Sequence, residues 1–103
     1  MKAVIFINGS GAFLIITSHE SLADPALVRK LEAKGIEKYI AYEVPMEMVQ
    51  ERYGHHFDVV MSDLKQDDDL RVMDFDGRRI FHHFSFGDFG RPTYHEPRVV
   101  GAV

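Results

Sequence analysis

Apolar positions along this chain fall into short runs separated by turn-forming residues, and the period of each run predicts its element. Ala3 to Ile7 and Ala12 to Thr17 are almost unbroken stretches of β-branched and aromatic residues on either side of Asn8-Gly9-Ser10-Gly11, a pattern that predicts a β-hairpin. Because both runs are continuously apolar rather than alternating, the two strands are expected to be covered on both faces. The period then changes. Asp24 suits an N-cap, Pro25 the first helical position, Leu27, Val28 and Leu31 share one face, and Gly35 follows the last periodic residue, which predicts a helix. Ile36 to Val44 alternates and reads as a third strand. Pro45 then opens a second helix with Met46, Val49 and Tyr53 on one stripe, closed by Gly54.

In the C-terminal half the local signals favour strands. Phe57 to Met61 reads as a fourth strand, Ser62 to Asp69 as an acidic loop, and Leu70 to Phe75 as a fifth strand. Asp76-Gly77 has the composition of a two-residue type I′ turn, which leads into a sixth strand from Arg78 to Phe86. The expected order is β-β-α-β-α-β-β-β, an α+β fold built as a two-layer α/β sandwich. Its sheet is expected to be mixed, with a C-terminal meander and both helices on one side. Residues 1–86 are expected to form a single α/β domain, followed by an extended tail at 87–103. Pro92 and Pro97 resist regular structure there, yet the closing Arg-Val-Val-Gly-Ala-Val is too apolar for a free end. The tail is therefore expected to pack on its own domain or on a neighbouring subunit, as an added strand.

Composition narrows the function. With 103 residues, 46% of them hydrophobic and 27% charged, the chain can build one ordinary core without staples. The absence of cysteine removes disulfides, thiolate nucleophiles and Cys-type metal sites, and makes a reducing, cytoplasmic compartment the expectation. No apolar run approaches the roughly 20 residues of a membrane helix, so a soluble protein without a membrane partner is expected. The apolar start also breaks too early, at Asn8, for a secretory signal. A net charge of −4 repels phosphate backbones, which disfavours nucleic acid as a partner. That charge is unevenly spread: Asp58 to Asp76 holds seven acids against Lys65 and Arg71, whereas Arg78 to Arg98 holds four arginines against Asp88 and Glu96. Opposite patches on one chain favour self-pairing, and a homodimer is the expected oligomer.

Two motifs that resemble sites lose to simpler explanations. The glycine loop at Asn8 to Gly11 lacks the lysine or further glycine of a phosphate-binding fingerprint and is followed by strand formers, so it reads as a hairpin turn. Asp67-Asp68-Asp69 and Asp74-Phe75-Asp76-Gly77 lack the closing glutamate of a calcium loop. No metal and no cofactor are expected.

The densest chemistry lies between Gly77 and Gly90, with four phenylalanines, two histidines and two arginines. In the hairpin register set by Asp76-Gly77, Asp74 opposes Arg79, and Arg79, Phe81 and His83 share one sheet face while Ile80, His82, Phe84 and Phe86 share the other. Arg79, Phe81, His83 and Asp74, with Tyr94 and His95 from the tail, are the candidate ligand or interface residues. His83 and His95 are the candidate acid–base groups. The expected function is a small non-enzymatic binding or regulatory module that self-associates through its meander and tail and binds a small ligand there. A His-dependent acid–base enzyme or metal-binding protein is the alternative. Single-stranded RNA binding through Arg78, Arg79, Phe81 and His83 is the third.

Overall fold

The computed structural model describes residues 1–67 and 69–95. Strands β1 (Lys2–Asn8) and β2 (Gly11–Thr17) form the expected hairpin, with Asn8 paired to Gly11 and the Asn8 side chain accepting the Ser10 amide at 2.8 Å. Gly11, at φ 144°, supplies a backbone conformation closed to other residues. Helix α1 (Pro25–Ala33) starts where Asp24 caps the Ala26 amide at 2.9 Å, and β3 (Tyr39–Val44) and α2 (Met46–Tyr53) follow in the expected places. Gly54, at φ 56°, ends α2.

From this point the elements depart from expectation. Residues 55–67 form a helix, α3 (His55–Asp67), in place of the fourth strand and acidic loop. Phe57, Val60 and Leu64 are all buried in one core, a spacing of three and four residues that only a helix brings to one side. Strand β4 (Leu70–Asp74) is as expected, but Gly77–His83 is a helix, α4. A type I′ turn needs positive φ at both central residues. Asp76 instead sits at φ −93°, and its carboxylate accepts the Arg78 and Arg79 amides at 3.0 and 3.3 Å. Asp76 is thus a helix N-cap, and the described residues form no C-terminal meander. A 3₁₀ turn (Phe86–Asp88) leads to β5 (Pro92–His95), which pairs with β3. The closing apolar segment of the expected tail lies outside the described residues.

The α+β class holds, with 41% helix and 31% strand. The sheet runs β4-β2-β1-β3-β5, and every pairing is antiparallel rather than mixed. Nor do the helices share one side. Val4, Phe6 and Ile15 pack with Leu27 and Leu31 of α1, whereas Ile5, Leu14 and Ile16 pack with Val49 of α2, Phe57, Val60 and Leu64 of α3, and Ile80 of α4. The connection from β2 to β3 crosses β1 over one face, and the return from β3 to the far edge at β4 runs over the other. Helices on both faces explain why β1 and β2 are apolar at nearly every position. Among the described residues, no helix is long and apolar enough to cross a membrane.

Candidate functional site

Helix α4 separates side chains that a strand would have grouped. At 100° per residue, Ile80 and Phe84 fall on one line, Arg79 and His83 on a second to one side, Phe81 on a third to the other side, and Arg78 and His82 point away. Ile80 and Phe84 are buried in the core. The helix lies close to β2 because two small residues face each other there: a Cβ on Gly77 would stand 3.7 Å from Ala12 Cβ.

On the Arg79 side the organising group is Asp74, whose side chain is fully buried. It accepts from Tyr53 Oη at 2.8 Å, from Arg79 Nε and Nη2 at 2.8 and 2.7 Å, and from the Asp76 amide at 3.0 Å. Burial pushes this carboxyl up, but the hydrogen bonds from Arg79, the Asp76 amide and Tyr53 outweigh it and hold the pKa at about 2. The same carboxylate, together with burial as the larger cause, pushes the Tyr53 phenol well up and keeps it a donor. The His83 ring lies against Tyr53 at 4.8 Å between centroids. His56 Nε2 donates to the Met73 carbonyl at 3.1 Å. Arg52 donates to the His83 carbonyl and, at 2.9 Å, to Asp88, with its guanidinium over the Phe84 ring. Arg52, Tyr53, His56, Met73, Arg79 and His83 line a pocket of about 390 Å³.

On the opposite side of α4, Phe81, Phe86 and Phe89 form an aromatic surface continued by Tyr42 of β3. Phe86 meets Phe89 at 5.3 Å and Phe81 at 6.1 Å, and Phe89 meets Tyr42 at 5.0 Å. Phe81 is 42% and Phe86 72% exposed. The 3₁₀ turn that presents these rings is fixed by a capping box in which Asp88 accepts the Ser85 amide at 3.0 Å, and the same carboxylate holds Arg52.

No family model, curated protein or solved structure matches this chain.

The structure brings Arg79 and His83 to one pocket, with Asp74 buried and bonded to Arg79, and sends Phe81 to a different surface. Tyr94, 69% exposed, lies elsewhere, beside an apolar pocket of about 340 Å³ that Ile7, Lys38 and Ile40 also line. His95 pairs through its backbone with Tyr39, and its side chain lies outside the description. Arg52, Tyr53 and His56 become neighbours of Asp74 only when α2 and α3 pack beside α4. His19 lies in a separate cluster, where its ring bonds Asp24 Oδ2 at 2.9 Å and Asp69 Oδ2 at 3.0 Å. Lys30 pairs with Asp69 as well. The bond from His19 holds the Asp24 carboxyl below the usual range, and the Lys30 ammonium does the same for Asp69. This cluster ties the loop before α1 to the start of β4. Its only visible signal was the Asp24 cap, since Asp69 is fifty residues from His19. Among the described residues, no group of three or more histidine and acidic side chains is arranged to hold a metal ion.

Proposed function

We propose that this chain is a non-enzymatic binding module that pairs with a second copy of itself through the aromatic surface formed by Phe81, Phe86 and Phe89. The observation that carries this is the exposure of the contiguous rings of Phe81, on α4, and Phe86, on a turn capped by Ser85 and Asp88, since contiguous exposed aromatics mark interaction surfaces. A second copy suits the surface because complementary charges are at hand. Arg78 and Arg91 are exposed near these rings in the chain, Asp58 and Asp63 are exposed on α3, and none of the four forms an ion pair among the described residues. The exposed parts of Phe81 and Phe86 amount to roughly 230 Å² per copy. Burying them in both copies is worth roughly 11 kcal/mol, comparable with the roughly 4–15 kcal/mol cost of association. Pairing through these rings is therefore weak and depends on concentration.

The competing readings have less to rest on. An acid–base role for His83 needs a carboxylate beside it, and the His83 ring lies on the Tyr53 phenol instead, while His19, which does meet two carboxylates, has both ring nitrogens engaged by Asp24 and Asp69. Single-stranded RNA binding, the third reading, drew on Arg78, Arg79, Phe81 and His83 at a sheet face. Helix α4 divides that face, and Arg79 is engaged by Asp74. Sedimentation equilibrium over a wide concentration range tests the proposal. The wild-type mass should rise from 11.8 kDa toward twice that value. The Phe81→Ser/Phe86→Ser variant, with an unchanged circular dichroism spectrum, should stay monomeric. A wild-type chain that stays monomeric throughout, or a variant that pairs as well as wild type, refutes it.

A further inference from the structure

We propose that the pocket between α2, β4 and α4 binds a small oxyanion of the phosphate type. Four cationic or imidazole side chains converge on it: Arg52, His56, Arg79 and His83. Two of them are held in place from behind. Asp74 takes two N–H groups of Arg79, and Asp88 takes one of Arg52. Most of the rotamer entropy that a long cation loses on gripping a ligand is thus lost already on folding.

These two carboxylates do not use up the donors. Asp74 already accepts four hydrogen bonds and Asp88 is shared between Arg52 and the Ser85 turn, so neither competes for further N–H groups. Arg79 Nη1, Arg52 Nε and Nη2 and the His83 ring nitrogens make no hydrogen bond among the described residues. Donors from α2 and α4 on two sides of a pocket of about 390 Å³ suit an acceptor with oxygens in several directions. A guanidinium fork pairs with such a group in bidentate fashion. Tyr53, kept protonated by burial and by Asp74, adds no negative charge. Neither the aromatic surface nor the pairing of two copies enters this inference.

The test is a titration of the isotope-labelled chain with inorganic phosphate, and separately with inorganic sulfate, at constant ionic strength set with chloride. Both should produce saturable shifts in the amide and imidazole signals of His56, Arg79 and His83. His83 is half-buried and its ring makes no hydrogen bond among the described residues, so His83→Ala should fold normally and weaken binding by about tenfold, the effect of losing one charge-assisted hydrogen bond. The exposed His82→Ala, one residue away on a different side of α4, should leave affinity unchanged. Shifts that are linear in added salt and equal for chloride overturn the proposal. So do saturable shifts confined to another part of the molecule, or equal affinity in wild type and His83→Ala.

Discussion

Replacing Asp74 by asparagine removes one charge from the centre of the α4 contact while leaving its volume nearly unchanged. The asparagine amide would face Arg79 and Tyr53 donor to donor, so the network loses acceptors as well as the charge. The size of the loss follows from the carboxyl's own titration. A shift from the ordinary 3.8 to about 2 corresponds to about 2.5 kcal/mol of stabilisation in the folded state. Severing a fully buried ion pair costs about 3–5 kcal/mol. Here the Arg79 side chain is 54% exposed and can turn to water, so the lower figure applies. Asp74→Asn should therefore destabilise the fold by about 2–3 kcal/mol at pH 7, a drop of roughly 10–20 °C in Tm for a domain of this size.

The pH dependence sharpens this test. The folded pKa of Asp74 is depressed, so its contribution is fully present above the unfolded value near 3.8 and is lost as pH falls through about 2. Urea unfolding of both proteins, followed by circular dichroism, should show a stability gap that is constant from pH 7 to pH 5 and about 1 kcal/mol smaller at pH 3. Other carboxylates titrate alike in the two proteins and cancel from the difference. A gap under about 0.5 kcal/mol at pH 7, or one equally large at pH 3 and pH 5, would refute the reasoning.

Two further substitutions examine α4 itself, both read by urea unfolding. Ile80 is 0% exposed and packs against the sheet, so Ile80→Ala should cost about 2–4 kcal/mol through lost burial and the cavity left behind; a cost below about 1 kcal/mol contradicts its place in the core. Asp76→Ala removes the side chain that accepts two amides at the start of α4 and should cost about 1 kcal/mol, whereas no measurable cost would contradict the cap.

The legible parts of this fold are those whose signals are local and redundant. Asp24, Pro25 and Gly35 mark both ends of α1, and Pro45 and Gly54 do the same for α2. The unbroken apolarity of β1 and β2 pointed to cover on both faces, which helices supply, and this is at odds with the expected placing of both helices on one side. The C-terminal half was less legible because its local signals point the wrong way. Phe57-Asp58-Val59-Val60-Met61 is rich in strand formers, and the helical period appears only when Leu64 is counted with Phe57 and Val60. Asp76-Gly77 is as acceptable at a helix start as in a hairpin, and packing of Ile80 and Phe84 decides between them.

The candidate site shows the same division. Asp74 and Arg79 were expected to meet as cross-strand partners and do meet, but as residues five apart in the chain that bridge a strand end and a helix. Phe81 was expected beside them and is not, because a helix advances 100° where a strand alternates by 180°. Arg52, Tyr53 and His56 reach the pocket through tertiary packing alone, which leaves no local trace in the sequence.

The most direct test of the central claim, that two copies pair through the aromatic side of α4, is an isotope-filtered NOE experiment on a mixture of labelled and unlabelled chain. The account predicts intermolecular contacts from the rings of Phe81, Phe86 and Phe89. Intermolecular contacts confined to the β5 edge around Tyr94, or none at concentrations well above those used for structural work, would contradict it.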